Sequence, residues 1–217
     1  MTTQKHPDYP NFHLITHPLI QHKMSILRDK TTTKKLFTEL INEITRLLAY
    51  EATSQLTLIQ KMVETPLEKT STSVLAVDDP VILPILRAGI GMVDAFLSLI
   101  PTARVGHIGV YRDENTLEPH QYYFKIPKNH EGHSFFVCDP MLATGGTAVA
   151  TMQKLRDRGI KNIVFVCIVA APQGLTHLQT EFPDIPIYAA SLDRELNSHG
   201  YILPGLGDAG DRIFGTQ

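Results

Sequence analysis

Apolar residues recur at helical spacing between Thr33 and about Leu58. Leu36, Phe37, Leu40, Ile41, Ile44, Leu47 and Leu48 fall on one stripe, and the threonines at 31–33 supply N-cap candidates. Residues 1–23, with prolines at 7, 10 and 18, read as irregular. From Val81 the rhythm changes. VILPIL is a short apolar run, and the helical segment AGIGMVDAFLSLI follows it. ARVGHIGVY, QYYFKI and HSFFVCD are strand-like, and TAVATMQKLRDRG is helical and stops at Gly159. Strand NIVFVCIVA, helix QGLTHLQTEF and strand IPIYAAS complete the alternation. Apolar strands alternating with helices predict an α/β fold with a mainly parallel central sheet flanked by helices. The runs on either side of DENTLEP break the alternation and predict a β-arm or hairpin beside the main sheet. The segment HGYILPGLGDAGDRIFGT holds five glycines, but Tyr201, Ile202, Leu203, Leu206, Ile213 and Phe214 make it a structured loop region.

Composition narrows the function classes. The 217 residues include 20 Lys plus Arg and 22 Asp plus Glu, a formal net charge of -2. A protein that coats nucleic acid carries a basic excess, and this one has none. Trp is absent and aromatics make up 7%, which disfavours a base-stacking platform. Charged residues make up only 19%, below the usual share of about 25%, which points to extensive buried surface in the core or between subunits. Cys138 and Cys167 lie in apolar runs and read as buried, reduced thiols. The first residues show no signal-peptide core, and the longest apolar run is too short to span a bilayer. The expectation is a cytoplasmic protein without membrane contact.

Four segments could carry chemistry. In FFVCDPMLATGGTAVATMQKL an apolar strand ends at Asp139, and a loop with Thr144, Gly145, Gly146 and Thr147 opens into a helix. Glycine permits close backbone approach, and successive N–H groups at a helix start make an anion nest, so the expected ligand is a phosphate. An ionised Asp139 would accept hydrogen bonds from sugar hydroxyls or a metal-bound water. Taken alone, an ordinary strand-to-helix turn is an equal reading. In PILRAGIGMVD, Arg87 follows a strand and suits a phosphate clamp, with a solvated arginine the alternative. In YRDENTLEPH, Arg112 sits on the arm, where a cation could close over an anionic substrate, although the segment alone reads more readily as a solvated charged turn. The fourth is GYILPGLGDAGDRIFG, a loop whose backbone could face a small ligand. The glycines at 89 and 91 do not extend to a dinucleotide fingerprint, because Asp94 holds the third position. No P-loop, H-E-x-x-H, C-x-x-C or G-x-S-x-G motif is present.

DPMLATGGT resembles the phosphoribosyl-diphosphate loop of type I phosphoribosyltransferases, in the form found in the uracil phosphoribosyltransferase family. HPLIQHKMSILRDKTT, PILRAGIGM with YRDE, and GYILPGLGDAGDRIFGT agree with that family in order and cover most of the chain. The glycine-rich terminal segment is the most specific, since related purine enzymes do not share it. The resemblance implies one phosphoribosyltransferase domain over residues 1–217. Its parts would be an N-terminal helical segment (about 1–60), a core (about 74–190) and a C-terminal uracil-binding hood (about 191–217). It implies transfer of the phosphoribosyl group from 5-phospho-α-D-ribose 1-diphosphate (PRPP) to uracil, giving UMP and diphosphate, in pyrimidine salvage. Many type I relatives carry two adjacent acids at the strand tip. Here Pro140 follows Asp139, a change that the uracil family shares.

By position, the resemblance assigns Arg87 and Arg112 to the diphosphate of PRPP. It assigns Asp139, Pro140, Met141, Leu142, Ala143, Thr144, Gly145, Gly146 and Thr147 to its ribose 5-phosphate. Ile202, Gly207, Asp208 and Ala209 match the uracil pocket, with Asp208 also near the Mg2+-diphosphate. Asp139, Asp208 and Arg112 carry the catalytic expectation. Mg2+ is the expected cofactor, carried mainly by PRPP rather than by direct protein ligands. The ring nitrogen of uracil is the nucleophile, so no catalytic Ser, Cys or His is needed. The resemblance also implies a homo-oligomer (dimer or tetramer) and a GTP effector. An RNA-binding regulator on the same fold is the competing class, and the charge balance argues against it.

Overall fold

The computed structural model describes residues 3–77, 79–112 and 119–216, without the side chains of residues 5, 111, 112 and 119–121. The chain starts on a hairpin, β1 (Thr3–His6) with β2 (Tyr9–Ile15), where the sequence predicts irregular backbone. Pro18 is the first residue of α1 (Pro18–Arg28), the position where its missing N–H matters least. The His17 side chain accepts a hydrogen bond from Leu19 N–H and caps this helix. Thr33 caps α2 (Lys34–Ala52) by accepting from Leu36 N–H. This helix ends short of the predicted Leu58, in a single 3-10 turn at Thr53–Gln55. β3 (Leu58–Glu64) and β4 (Lys69–Leu75) then form a separate hairpin that pairs with nothing else among the described residues.

β5 (Val81–Leu86) leads through a 3-10 turn at Ala88–Met92 into α3 (Val93–Leu99), so the predicted helix over 88–100 is two pieces. β6 (Arg104–Val105), β7 (His107–Arg112) and β8 (Pro119–Lys125) follow, the last two paired antiparallel. Next come β9 (Phe135–Cys138), β10 (Met141–Leu142), α4 (Gly146–Arg156), β11 (Ile163–Ala170), α5 (Pro172–Glu181) and β12 (Ile187–Leu192). The terminal region holds a small hairpin, β13 (Glu195–Leu196) with β14 (Ile202–Leu203), and the short helix α6 (Ala209–Phe214).

The main sheet runs β1-β2-β12-β11-β9-β5-β7-β8, with β10 beside β11 and β6 beside β5. Every pairing from β2 across to β7 is parallel, and both edges are closed by antiparallel strands. Side chains alternate between two cores. Val164, Val166 and Ile168 of β11 pack with α1, α2 and α3, whereas Ile163, Phe165 and Cys167 pack with α4 and α5. Phe37, Leu40, Ile41, Ile44 and Leu48 of α2 are all buried, each contributing roughly 2 kcal/mol of apolar burial. Cys138 and Cys167 are free and buried, and burial pushes both thiols well up, with the nearby Asp139 carboxyl adding to the effect. Among the described residues, no helix is long and apolar enough to cross a membrane.

The topology selects a ligand position. After β5 the chain turns to β7 on one side, whereas β9 leads to β11 and β12 on the other. The carboxyl ends of β5 and β9 therefore flank a switch point, where open parallel sheets bind ligands. Arg87 follows β5 and Asp139 follows β9.

Candidate active site

Two adjoining cavities open at this switch point. The smaller, about 70 Å³, is lined by Asp139, Met141, Leu142, Ala143, Thr144, Gly145, Thr147 and Ala148. The larger, about 210 Å³, is lined by Ala88, Met141, Ala143, Gly200, Tyr201, Ile202, Gly207, Asp208, Ala209 and Gly210. Met141 and Ala143 belong to both, so the loop after β9 separates them. Larger cavities at the opposite, amino end of the strands, such as one of about 300 Å³ around Gln55, Lys161 and Asp184, lie away from the switch point.

The loop is shaped by backbone rules. Asp139 N–H reaches Val166 O at 3.2 Å, and its Oδ1 accepts Met141 N–H at 3.2 Å, which turns the chain off the strand. Pro140 is buried and lines neither cavity; its carbonyl accepts the N–H groups of Ile168 and Val169, both at 3.0 Å. Met141 and Leu142 rejoin the sheet as β10 beside Val169 and Ala170. Gly145 sits at φ +84°, a region where a side chain is strained, and α4 starts at Gly146. Gly146 lines neither cavity.

Burial sets the Asp139 carboxyl of the free protein apart from an ordinary carboxylate. Asp139 keeps some surface exposure, but burial pushes its carboxyl pKa up to about 7. The Met141 N–H opposes this, and the neighbouring Asp208 charge adds to it. Asp139 and Asp208, 69 residues apart in sequence, thus lie close enough to interact, one lining each of the two adjoining cavities. Asp208 is exposed and caps α6 through a 2.8 Å bond from Asp211 N–H to its Oδ1. Among the described residues no group of three His, Cys, Asp or Glu side chains converges. So sparse a set of protein carboxylates suits Mg2+ carried by a phosphate ligand, since Mg2+ keeps water and phosphate oxygens as most of its ligands.

Arg87 is 61% exposed at the mouth, with a guanidinium nitrogen 3.8 Å from Asp211 Oδ1. Arg112 ends β7 at the described backbone, and its side chain and residues 113–118 of the arm lie outside the described residues. Gly89, in the turn after Arg87, permits close packing of the two strand ends: a Cβ there would stand 2.4 Å from Cys138 O. The Leu86–Arg87 and Leu203–Pro204 peptides are cis.

Ile202, Gly207, Asp208 and Ala209 come together in the larger cavity, with Ile202 and Ala209 buried. Gly205 and Gly207 have φ of +63° and +79°. A Cβ on Gly205 would lie 2.1 Å from Ile202 O, so this turn accepts only glycine. Sequence reasoning did not single out the residues that hold these loops. Arg28 and Asp193 tie α1 to Gly205. Arg212 donates to the carbonyls of Leu27, Leu206 and Asp29. Gly174 and His177 of α5 lie against the loop of residues 142–145. Arg28 stands within the segment HPLIQHKMSILRDKTT, but only tertiary structure reveals its partner.

A family model described as uracil phosphoribosyltransferase matches residues 14–216. The uracil phosphoribosyltransferase of Streptococcus salivarius is 57% identical over 206 residues, covering 95% of this chain and 99% of the relative. That of Enterococcus faecalis is 52% identical over 206 residues, with 95% and 99% covered. Among solved structures, a protein from Aquifex aeolicus superposes with a TM-score of 0.87 at 36% identity, covering 94% of this chain and 97% of its own. Adenine phosphoribosyltransferase from Trypanosoma brucei shares the fold at 12% identity, with a TM-score of 0.61 and 88% and 87% covered. Matched across nearly its whole length, the chain belongs to the uracil phosphoribosyltransferase family.

Proposed function

We propose that this protein transfers the 5-phosphoribosyl group of PRPP to uracil, releasing diphosphate and forming UMP in pyrimidine salvage. The observation that carries the reading is the pair of adjoining cavities at the switch point, divided by Met141 and Ala143. A phosphate fits the smaller one, against the backbone of Thr144–Thr147, and a pyrimidine fits the larger one under the glycine-rich loop. Backbone groups of Ile202, Gly207, Asp208 and Ala209 read the base edge. Pro140 and Gly146 support the 5-phosphate loop from outside its cavity.

The residues have distinct tasks. Asp139 accepts hydrogen bonds from the ribose hydroxyls. Those donors and a nearby cation favour its ionised form, so substrate binding lowers the raised pKa and releases a proton. Arg87, exposed and only loosely approached by Asp211, is free to turn onto the diphosphate, with Arg112 reaching it from the arm. Asp208 stands between base and diphosphate. When bound with PRPP near Asp139 and Asp208, Mg2+ would supply charge neutralisation for the leaving diphosphate. Positive charge develops on the ribose as the bond to carbon 1 breaks, by analogy with glycoside chemistry. The arginines, once turned onto the diphosphate, then stabilise the departing group.

We further infer a homo-oligomer. An isolated two-stranded hairpin is marginally stable in water, yet among the described residues β3 and β4 pair only with each other and expose Leu58, Ile59, Met62 and Leu67. A GTP effector remains part of the proposal on family resemblance alone. Work in the cytoplasm is in keeping with two unpaired, buried thiols. The deciding experiment measures UMP formation from labelled uracil with and without PRPP and Mg2+, using orotate, cytosine and hypoxanthine as controls. PRPP-dependent UMP from uracil alone supports the reading, and no UMP, or equal use of hypoxanthine, overturns it.

A further inference from the structure

The phosphate loop is held from behind by α5. Ala171 N–H donates to Leu142 O at 2.9 Å, and His177 Nδ1 lies 3.0 Å from Thr144 O. A carbonyl oxygen only accepts, so Nδ1 carries the proton in this contact. Gly174 lets the helix approach: a Cβ there would stand 2.5 Å from Ala143 O and 2.6 Å from Leu142 O. A Cβ on Gly145 would meet Gly174 O and His177 Cβ, each at 3.0 Å.

Peptide geometry turns these contacts into a consequence for the ligand. The Thr144–Gly145 and Leu142–Ala143 peptides are trans. In a trans peptide the C=O and N–H point in opposite directions. Drawing Leu142 O and Thr144 O toward α5 therefore turns the N–H groups of Ala143 and Gly145 the other way. The small cavity lies on that side, since no residue of α5 lines it.

We infer that His177 is a positioning residue for the 5-phosphate: its Nδ1–H fixes Thr144 O and so aims Gly145 N–H at the anion. The inference rests on reading residues 139–147 as the phosphate loop. His177 itself is exposed and lines neither cavity, so it acts through the backbone alone.

The test compares His177→Leu, which removes the donor, with His177→Asn, whose side-chain amide nitrogen takes the place of Nδ1. UMP binding is measured by titration calorimetry, alongside KM for PRPP, KM for uracil, kcat and Tm. One lost hydrogen bond corresponds to roughly three- to tenfold in affinity. His177→Leu is expected to weaken UMP binding and raise KM for PRPP by that factor, with KM for uracil unchanged within about twofold. His177→Asn restores both. Unchanged UMP affinity in His177→Leu overturns the inference. So does a His177→Asn variant as impaired as His177→Leu, because the effect then lies in packing and not in the donor. Failure of the unaltered protein to bind UMP refutes the loop assignment itself, a result distinct from any difference between the two variants.

Discussion

Arg28 and Asp193, 165 residues apart, meet in a two-pronged ion pair, with Nη1 to Oδ2 at 2.7 Å and Nη2 to Oδ1 at 2.6 Å. The Asp193 side chain is almost wholly buried and also accepts from Gly205 N–H at 2.8 Å and Ser191 Oγ at 2.7 Å. Arg28 donates in turn to Gly205 O at 2.6 Å. The pair thus fastens the glycine turn beside the larger cavity to the end of α1. Burial pushes the Asp193 carboxyl up, but the bonds from Arg28, Ser191 and Gly205 outweigh it and hold the carboxyl below its usual range.

Arg28→Met should leave that carboxylate buried and uncompensated, at a loss of about 3 kcal/mol in stability. Denaturant unfolding at neutral pH reads this directly. The kinetic signature should be a raised KM for uracil with a smaller change in KM for PRPP. The pH dependence has a definite sign. A depressed folded pKa gives stability that is present above the ordinary carboxylate range and lost as pH falls through the lowered value. The stability gap between the two proteins should therefore narrow in acid. A gap that stays constant down to about pH 2 argues that the pair contributes no charge-dependent stability.

Asp139 has the opposite linkage. Its folded pKa, about 7, lies above the ordinary 3.8, so the folded state holds the proton more tightly. The stability from that proton is full below pH about 4 and lost as pH rises toward about 7. Asp139→Asn removes the ionisable group. At about pH 8 the ligand-free variant should be more stable than the parent, on the order of 2 kcal/mol once partial exposure is allowed for. Near pH 4 the two melting curves should converge. Activity should move the other way, with kcat/KM for PRPP reduced by roughly a hundredfold or more through loss of the sugar contact. Proton release on PRPP binding, seen as a buffer-dependent enthalpy, checks the same linkage in the unaltered protein. Equal melting curves in mild alkali contradict the buried-carboxyl account.

Gly174→Ala places a methyl group 2.5 Å from Ala143 O and 2.6 Å from Leu142 O. Both neighbours are backbone atoms of the loop that divides the two cavities, so neither can swing away as a side chain does. Relief requires the helix or the loop to shift, at a loss of roughly 1–3 kcal/mol. KM for PRPP should rise more than KM for uracil, because the 142–145 segment is the displaced part. Wild-type KM values with an unaltered Tm would mean that α5 does not set the loop.

The sequence exposes the sheet and the loops that line the two cavities, and hides what holds them. The parallel strands read as apolar runs because both faces are buried, as in IVFVCIVA, where every residue is buried. Gly145, Asp139 and the 200–210 segment stand out because turns and phosphate contacts favour particular residue types. The first 23 residues mislead because Pro18, which reads as a breaker, is the favoured first residue of α1. The β3–β4 hairpin escapes notice because neither LIQKMVE nor KTSTSVL alternates apolar with polar residues. Arg28, Asp193 and His177 are ordinary residues until folding brings distant partners to them.

The exposed hairpin yields a prediction about assembly. Met62 is 65% and Leu67 95% exposed, and the strand residues Leu58 and Ile59 are also open to solvent. Apolar side chains on a ribbon that covers no core gain stability only when another surface closes over them. Met62→Glu combined with Leu67→Glu places two charges there and should be neutral for a lone chain, within about 0.5 kcal/mol. In an oligomer closed through the hairpin, the same charges must be desolvated, or the subunits must part. Light scattering should show the variant approaching the 24.2 kDa of one chain while the unaltered protein runs at a multiple of it. Comparable circular dichroism in the two proteins would show that the fold survives. An unaltered protein that already runs as a single chain, or a variant of unchanged mass, removes the hairpin from the assembly.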